Sequence, residues 1–511
     1  MHNRRMSKLY SAMSAIAVLL AAVGYSHSAM ADLTSFTSGD LVISTVSAAN
    51  TGGTNLDTAA AIVLQEFQLG ANNTSATFAG SLTLAQTSSG NNSAISGEYG
   101  SASEGILQQS ADGQYLTMMG YGVNAATFNS ASTTTYGTAA LGQTTSLTAA
   151  NQTGTPVTTV ARVVALVGAN ASVDTSTALT GVFNQNNPRS VATVNGTSFY
   201  VSGQGASKTD PTQGVAYATR GATTATVVDN STDTRVVSII NNGSGNTLYV
   251  SRDVNPTGSG NQNFTNVSTL TNASGGMPTS SAGLITTHVT PPASPLSAGG
   301  NNGSITLTAA LDNNLNSSRN GKFVYLSPEQ FFMANATTMY VADSGQPKNG
   351  TAGAAALGEG GLQKWSLING TWTLDYDLYN GLNLVNNNTA NALTPTAAGV
   401  TGLKGLTGRV VNGQVQLFAT SYGLNELSQS YLYGITDNLG ATSFSQVSGE
   451  QFTTLYTDTT GQTMISGVAF APTAIAAVPE PETYAMMLMG LGLFGFISRK
   501  LREQKQVAES V

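Results

Sequence analysis

Short strands joined by Asn-Gly turns recur along this chain, and they limit its possible folds more than any other feature. At 189–202, two runs rich in β-branched and aromatic residues flank Asn195-Gly196. The segment 409–420 repeats this order, and 235–251 is a looser copy with an enlarged turn. Because Asn-Gly tolerates the positive φ of a type I′ turn, each segment predicts a β-hairpin. Alternation of apolar and polar residues dominates elsewhere, and only 58–67 could be either a strand or a helix.

An aromatic residue marks the second strand of each predicted hairpin and gives the chain a period. The marker residues are Tyr115, Tyr200, Tyr249, Tyr340 and Phe418. The intervals between them, 85, 49, 91 and 78 residues, approximate one or two multiples of a unit about 40 to 49 residues long. A four-stranded β-propeller blade has this length. The sequence therefore predicts an all-β protein, a β-propeller of about seven blades, with six or eight possible.

Two stretches disturb the period. Residues 129–156 and 256–304 are rich in Ser, Thr, Asn and Gly and show little alternation, so we expect long loops there, with a domain boundary as the alternative. Short phrases such as 104–116 and 361–372 resemble segments of propeller-like secreted proteins, and the resemblance runs over most of 32–472. Because such phrases occur in propellers of unrelated role, they bear on fold more than on function.

The N-terminus has the three parts of a secretory signal peptide. Arg4, Arg5 and Lys8 are basic, 12–23 is apolar, and Ala29-Met30-Ala31 is an A-x-A cleavage site. An apolar run of twelve residues is too short to anchor a protein in a membrane. We therefore expect residues 1–31 to be removed by cleavage after Ala31 and the exported domain, 32–472, to leave the cytoplasm by the Sec route.

The C-terminal segment, 473–511, has a second tripartite pattern. Val478-Pro479-Glu480-Pro481 is followed by an apolar run, 483–497, and then by the basic residues Arg499, Lys500 and Arg502 within a tail at 499–505. Fifteen helical residues extend for roughly 22 Å, less than the ~30 Å hydrocarbon core, so this single short transmembrane helix needs a thinned bilayer or snorkelling flanks. The basic residues predict a cytoplasmic C-terminus. The G-x-G-x-x-G match at 490–495 follows no strand and predicts no dinucleotide site.

This tail resembles the PEP-CTERM sorting signal of Gram-negative envelope proteins. The resemblance implies that exosortase, a membrane protease-transpeptidase, recognises Pro479-Glu480-Pro481 while the helix holds the chain transiently in the inner membrane. Processing would then leave the protein at the cell surface or in the extracellular space. The family also implies an association with exopolysaccharide, within the extracellular matrix of a biofilm or floc.

Composition excludes several kinds of site. Residues 32–478 hold 12 basic and 22 acidic residues without a basic cluster, which argues against a nucleic-acid partner. The chain has no Cys, and once His2 and His27 leave with the signal peptide, His288 is the one remaining imidazole. It lies in a Pro-rich stretch without a G-x-S-x-G elbow, so a surface role is favoured over a Ser-His-Asp triad. We predict no cofactor and no metal site, since no EF-hand-type loop is present either.

Carboxylates are the remaining candidates for catalysis. Glu104, Asp343, Asp375 and Asp437 fall near predicted strand ends, where propeller loops converge. Trp365 and Trp372, on opposite strands of a hairpin, could stack on sugar rings, although core packing is the more common role of Trp. We predict a non-enzymatic structural or ligand-binding protein. The alternative is a carbohydrate-active or other hydrolytic propeller, in which two carboxyl groups meet at one channel mouth within roughly 10 Å.

Overall fold

The structure is a computed structural model that covers most of the exported domain and part of the C-terminal segment. The residues described are 32–48, 56–148, 156–231, 233–241, 243, 245–253, 265–290, 304–306, 323–325, 327–345, 360–382, 400–423, 429–458, 462–474, 489, 491 and 493–502. The predicted signal peptide with Ala29 and Ala31, and the motif Val478-Pro479-Glu480-Pro481, lie outside them. Residues up to Thr473 form one compact unit, and those from Ala474 form a second.

Twenty-seven strands are present in the part of the chain just described. The first fourteen are β1 (Leu41–Ser47), β2 (Ala59–Leu69), β3 (Ala76–Thr83), β4 (Ser96–Glu98), β5 (Gln108–Gln109), β6 (Tyr115–Tyr121), β7 (Arg162–Gly168), β8 (Val173–Leu179), β9 (Pro188–Ala192), β10 (Ser198–Gly203), β11 (Gly214–Thr219), β12 (Thr226–Asp229), β13 (Thr234–Asn241) and β14 (Asn246–Asp253). The others are β15 (Thr265–Thr271), β16 (Ile285–Thr290), β17 (Ser304–Thr306), β18 (Phe323–Tyr325), β19 (Pro328–Asn335), β20 (Thr338–Asp343), β21 (Gly361–Ile368), β22 (Thr371–Leu378), β23 (Val400–Val411), β24 (Gln414–Gly423), β25 (Tyr431–Asn438), β26 (Thr453–Thr457) and β27 (Thr463–Phe470).

Antiparallel four-stranded sheets are the repeating unit. Four of them are separate blades, in the orders β9 to β12, β13 to β16, β19 to β22 and β23 to β26. A nine-stranded sheet contains two further four-stranded runs, β27-β1-β2-β3 and β5-β6-β7-β8, which β4 joins by pairing with β2 and β6. Strands β17 and β18 form a small hairpin of their own. The predicted all-β class is confirmed.

The first strands of these units face one another and form a propeller-like ring. Strand β27 contacts β5, β5 contacts β9, β9 contacts β13, β13 contacts β19, β19 contacts β23, and β23 contacts β27. The four separate blades and the two runs make six such units among the described residues, so the count of about seven is not confirmed. Tyr115 and Tyr200 lie on the second strands of consecutive units, so the interval of 85 residues spans one unit and not two periods.

The ring is closed by the two ends of the exported domain. Strand β27 pairs antiparallel with β1 in a register that places Leu41 opposite Phe470 and Val46 opposite Met464. The backbone N–H of Ala471 then donates to the carbonyl of Asp40 (2.8 Å). One run of strands therefore contains the first and the last strand of this compact unit.

The predicted hairpins form where Asn-Gly pairs indicated them. At the β23–β24 turn, Asn412 and Gly413 have φ of 51° and 77°, and Val411 pairs with Gln414, as a two-residue type I′ turn requires. The turn at Asn195-Gly196 differs in two ways. Gly196 has a positive φ but Asn195 does not, and the β9–β10 connection is longer than two residues. Residues 59–67 of this stretch lie in strand β2 rather than in a helix.

The expectation of long loops at 129–156 and 256–304 is wrong for part of each stretch. Strands β15 and β16 lie within the second stretch, and their alternation is masked in the sequence because Thr and Ser occupy both faces. His288 is consequently on strand β16, paired with Ser268, and not in an irregular segment. The first stretch contains the short helix α2 (Thr133–Tyr136), which follows α1 (Ala125–Ser130) in the β6–β7 connection.

Apolar clusters fill the spaces between neighbouring blades. The largest lies between the β19–β22 and β23–β26 blades and includes Tyr340, Tyr376 and Tyr433. Four of the five aromatic markers are buried, the exception being the partly exposed Tyr115, and all five lie on the second strand of their unit. In the C-terminal segment, residues 493–502 are helical and exposed. No helix among the described residues has the length and apolar character needed to cross a membrane.

Candidate functional site at the start of the inner strands

Charged side chains line the ring where its first strands begin. Arg189, Arg235 and Glu329 are each the second residue of their strand, β9, β13 and β19, and all three are buried. Lys404, on the first strand of the next blade, is also buried. Since a lone buried charge is unfavourable, four such residues at equivalent positions require partners among themselves and their neighbours.

Asp233 and Glu329 provide the opposite charges. Nη1 of Arg189 lies 2.7 Å from Oδ1 of Asp233, and Nη2 of Arg235 lies 3.2 Å from the same oxygen. Nε of Arg235 is 3.8 Å from Oε1 of Glu329. Burial raises the pKa of Glu329, whereas Arg235 and then Arg189 lower it. This axial cluster, comprising Arg189, Asp233, Arg235, Glu329 and Lys404, joins four consecutive blades.

Lys404 is the weakly bonded member of the axial cluster. Its ammonium group donates one hydrogen bond among the described residues, to the backbone carbonyl of Glu104. Burial lowers the pKa of Lys404 to about 8, although the negative charges of Glu329 and Glu104 raise it. A substantial fraction of this side chain is consequently neutral in mildly alkaline solution.

The carboxyl group of Glu104 forms a pair with that of Glu98. Glu98 lies at the end of β4, Glu104 follows in the connection to β5, and the two side chains are hydrogen-bonded to each other. Burial raises the pKa of Glu104 to about 7, and the hydrogen bond from the Tyr121 hydroxyl lowers it. Burial and the adjacent Glu104 raise the pKa of Glu98 well above its ordinary value. The charged form of Glu98 is therefore disfavoured both by burial and by the neighbouring carboxyl group.

A polar cavity of about 640 Å³ opens beside the carboxyl pair. Its wall contains Glu98 and is otherwise mostly hydroxyl, amide and backbone groups. The residues that line it are Asp57, Glu98, Ser101, Ala102, Ser103, Gly137, Thr138, Gly142, Gln143, Gln185, Asn186, Asn187, Ala206 and Tyr422. Glu98 ends strand β4 and Tyr422 lies near the end of β24, whereas the others come from connections that precede first strands or follow second strands. Several loops therefore build one site.

Ser103 and Tyr422 link the cavity to the axial cluster. Nη1 of Arg235 donates to Oγ of Ser103 at 3.0 Å, and both serine and tyrosine line the cavity. Burial raises the pKa of Tyr422 to about 12, while the positive charge of Arg235 lowers it. The buried charges thus act on the cavity wall over short distances.

The four predicted carboxylates lie in different surroundings. Glu104 reaches the cavity region, but Asp343 accepts hydrogen bonds from the backbone N–H groups of Ser327 (2.9 Å) and Gly345 (2.8 Å) and from the side chain of Gln363. Burial raises the pKa of Asp343 to about 7. Asp375 and Asp437 share Lys364 as an electrostatic partner. The carboxyl pair beside the cavity is therefore Glu104 with Glu98, and Glu98 was not a predicted site residue. Asp437 has a carboxyl neighbour of its own, Glu450, and neither of these two lines the cavity.

The remaining predicted residues are placed as follows. Trp365 is fully buried on β21 and is a core residue, whereas Trp372 on β22 is partly buried and packs against the same apolar cluster. Arg499, Lys500 and Arg502 lie on the exposed helix at 493–502. The backbone of His288 is held in β16.

Comparison with known protein families identifies the sorting signal of this chain. Residues 477–502 match the PEP-CTERM protein-sorting motif, and they include the predicted motif from Val478 to Pro481 and the basic residues that follow. The chain therefore carries the signal of an exosortase-sorted surface protein, which implies export and sorting at a membrane. A comparison with curated proteins finds no significant match.

Solved structures resemble the ring only distantly. A putative 6-phosphogluconolactonase from Bacteroides uniformis is 12% identical, with a TM-score of 0.34 over 84% of this chain and 99% of the other. A hypothetical selenium-binding protein from Sulfolobus tokodaii is 7% identical, with a TM-score of 0.38 over 83% and 81%. A GH32 β-fructofuranosidase from Bombyx mori is 11% identical, with a TM-score of 0.26 over 56% and 55%. At these scores the similarities carry no argument about activity.

Proposed function

We propose that this protein is a non-enzymatic saccharide-binding component of the extracellular matrix, sorted by exosortase and held at the cell surface by binding exopolysaccharide in the polar cavity. The observation that supports this most directly is the wall of the cavity. Ser101, Ser103, Gln143 and Asn187 offer hydroxyl and amide groups, which both donate and accept hydrogen bonds, as sugar hydroxyls require. A volume of about 640 Å³ accommodates a small oligosaccharide segment.

The route to the surface is part of the same proposal. Residues 1–31 direct the chain to Sec and are removed after Ala31, and the apolar run at 483–497 retains it in the inner membrane of a Gram-negative cell. Exosortase then recognises Pro479-Glu480-Pro481. The matched sorting motif supports the exosortase step of this route.

A hydrolytic function is the second candidate, because two carboxyl groups do converge beside the cavity. In glycosidases the acid and its partner carboxylate stand about 5 to 9.5 Å apart, with the substrate or a water between them. Glu98 and Glu104 are instead hydrogen-bonded to each other. Glu104 is also bonded to the Tyr121 hydroxyl and buried, so it is poorly placed to reach a glycosidic oxygen. We therefore favour binding over hydrolysis.

Glycan binding by the full-length protein, purified in detergent, tests the proposal. We expect an oligosaccharide of the producing cell's exopolysaccharide to bind, and Ala206→Trp to abolish binding because the indole fills the cavity. Thr226→Trp, on the exposed face of the outer strand β12, is the matched control. Equal binding by both tryptophan variants would exclude the cavity as the site. Release of new reducing ends that Glu104→Gln abolishes would favour the hydrolase instead.

Cell fractionation tests the sorting step separately. With Pro479, Glu480 and Pro481 all changed to Ala, the protein should stay in the inner-membrane fraction, while the parent chain reaches the surface. If both reach the surface equally, exosortase sorting is wrong, whatever the cavity binds.

A further inference from the structure

A lysine and an aspartate of neighbouring blades meet in a fully buried place. Lys364 lies in the middle of β21, and Asp437 lies near the end of β25. Nζ of Lys364 is 2.9 Å from Oδ2 of Asp437, and the two side chains are 1% and 0% exposed. The rings of Tyr340 and Tyr376 lie beside the ammonium group, with their centroids 5.5 and 5.3 Å from Nζ. An amine and a carboxyl group are therefore held in contact away from water.

Glu450 places a second carboxyl group beside Asp437. Its Oε1 accepts a hydrogen bond from the backbone N–H of Asn438 at 3.2 Å, whereas Oε2 is buried and accepts none in the described part of the chain. Burial and then the charge of Asp437 raise the pKa of Glu450 to about 8, so at neutral pH this group carries a proton and donates it to Asp437. One carboxylate is enough to neutralise Lys364, so the ion pair does not need a second buried carboxyl group.

Two phenol groups bind the carboxyl group of Asp437. The Tyr340 hydroxyl donates to Oδ2, and the Tyr376 hydroxyl donates to Oδ1 at 2.7 Å. Burial raises the pKa of both tyrosines, so they remain donors. Donors fixed on both oxygens polarise the carboxyl carbon and stabilise the negative charge that develops when a nucleophile attacks it.

We propose that Lys364 and Asp437 join in an amide bond, with Glu450 carrying the protons. Transfer of one proton from Lys364 to Asp437 turns the ion pair into an amine and an acid, which burial favours because two desolvated charges disappear. Nζ then attacks Cγ of Asp437, and the N–C bond forms. Glu450 gives its proton to the departing hydroxyl group and takes one from the nitrogen. The C–O bond breaks, one water molecule is released, and Glu450 ends as it began.

The amide bond links the third strands of two neighbouring blades and closes the loop of chain from 364 to 437. The hydrogen left on the nitrogen keeps a partner, because the carbonyls of Asn438 (2.7 Å) and Leu439 (3.1 Å) lie next to Nζ. Closing a loop restricts the unfolded chain, as a disulfide does. Since this chain has no Cys, the amide gives it a covalent link of another kind. The inference is independent of what the cavity binds.

The intact mass and a peptide map of the full-length protein test the inference. We expect the denatured protein to be lighter by one water molecule than its sequence, counted from the observed N-terminus. Proteolysis should then release a branched peptide that contains both Lys364 and Asp437. The map is needed because Asp112-Gly113 can also lose water, by closing to a cyclic imide, but that product is not branched.

Three variants test the roles of the individual groups. Lys364→Arg keeps the positive charge and should have the full mass, because a guanidinium group is not a nucleophile. Glu450→Gln leaves the ion pair but cannot carry protons. The linked fraction, followed at intervals after synthesis is stopped, should therefore grow at least about a hundredfold more slowly. Asp375→Asn is the matched control, because Asp375 is another acidic neighbour of Lys364 but accepts a hydrogen bond from Oγ of Ser366.

The parent protein alone decides whether the bond exists. A folded parent of full mass, with Lys364 and Asp437 recovered on separate peptides, overturns the inference whether or not any variant folds. A branched peptide in the parent and in Asp375→Asn, absent from Lys364→Arg, supports it. Thermal unfolding shows which variants are folded, and equal rates of linking in the parent and in folded Glu450→Gln overturn the role of Glu450.

Discussion

Two lysines are buried in the described part of this ring, and their surroundings differ in a way that separates a structural from a functional charge. Lys364, between the β19–β22 and β23–β26 blades, donates to the Tyr376 hydroxyl (3.0 Å), to Oδ2 of Asp437 (2.9 Å) and to the carbonyls of Asn438 (2.7 Å) and Leu439 (3.1 Å). Lys404, beside the cavity, donates to one carbonyl among the described residues.

The acidic groups near the two lysines differ in how many donors they meet. Asp437 accepts hydrogen bonds from Tyr340 and from the Tyr376 hydroxyl (2.7 Å) as well as from Lys364, and a second carboxyl group, Glu450, lies beside it. Glu104 accepts a hydrogen bond from the Tyr121 hydroxyl and lies beside Glu98. Lys364 and Asp437, with several partners each, hold two blades together, whereas the sparser bonding of Lys404 and Glu104 keeps groups whose protonation a ligand can change.

Breaking the Lys364 network should have the largest effect. We expect Lys364→Met to lower the free energy of unfolding by about 3–5 kcal/mol, because Asp437 is left buried without its cation. Denaturant unfolding followed by tryptophan fluorescence measures the loss. A loss below that of Lys404→Met would contradict the contrast between the two lysines.

Removing the ionisable group of Glu104 should change how stability depends on pH. The pKa of Glu104 is about 7 in the folded protein and near 4.5 when unfolded, so the folded state binds more protons and this group lowers stability as pH rises from about 4.5 to 7. In Glu104→Gln that fall should be smaller by about 1–3 kcal/mol. Unfolding measured at several pH values checks it, and parallel profiles for variant and parent would contradict the shifted pKa.

Lys404→Met should have a smaller effect at neutral pH and a distinct alkaline signature. Burial already disfavours the charge of Lys404, so its loss at pH 7 should cost less than about 2 kcal/mol. The pKa of Lys404 is about 8 folded and near 10.5 unfolded, so the unfolded state binds more protons between these values and this group raises stability with pH there. The difference in free energy of unfolding between parent and variant should change in favour of the parent between pH 8 and 10.5. A difference that stays constant with pH would contradict the lowered pKa of Lys404.

The exposed ion pair of Arg220 and Asp174 should contribute least to the free energy of unfolding. Their atoms are 2.5 Å apart, but the Arg220 side chain is 45% exposed. Because surface ion pairs contribute little, Arg220→Gln should cost no more than about 1 kcal/mol, and added salt should reduce the difference. A cost equal to that of Lys364→Met would show that burial is not what distinguishes these networks.

Much of the ring could be predicted from local sequence. Asn412-Gly413 specifies its turn because both residues adopt positive φ there, and the five aromatic markers do lie on the second strand of their units. The number of blades could not be obtained in this way. Intervals along the chain do not distinguish an extra blade from a long connection such as the one between β6 and β7, which contains α1 and α2.

The candidate site was harder to predict because its residues meet only after the ring closes. Glu104 was identified as a carboxylate near a strand end, but its partner Glu98 ends a three-residue strand that has no period to reveal it. All three predicted hairpins begin with an arginine before a run rich in β-branched residues, namely Arg189, Arg235 and Arg409. Arg189 and Arg235 belong to the axial cluster, whereas Arg409 donates to Gln416 and Asn73, so the pattern alone does not identify the cluster.

The pairing of β27 with β1 has a consequence for the timing of assembly. In the export route proposed above, the N-terminus crosses the membrane first, so β1 emerges first and its outer edge stays open until residues 463–470 have followed. An open strand edge is a template for aggregation and a target for proteases. A chain without its last strand is thereby distinguishable from a complete one. Because the matched sorting motif begins at residue 477, after β27, a chain whose motif has emerged also contains the strand that closes the ring.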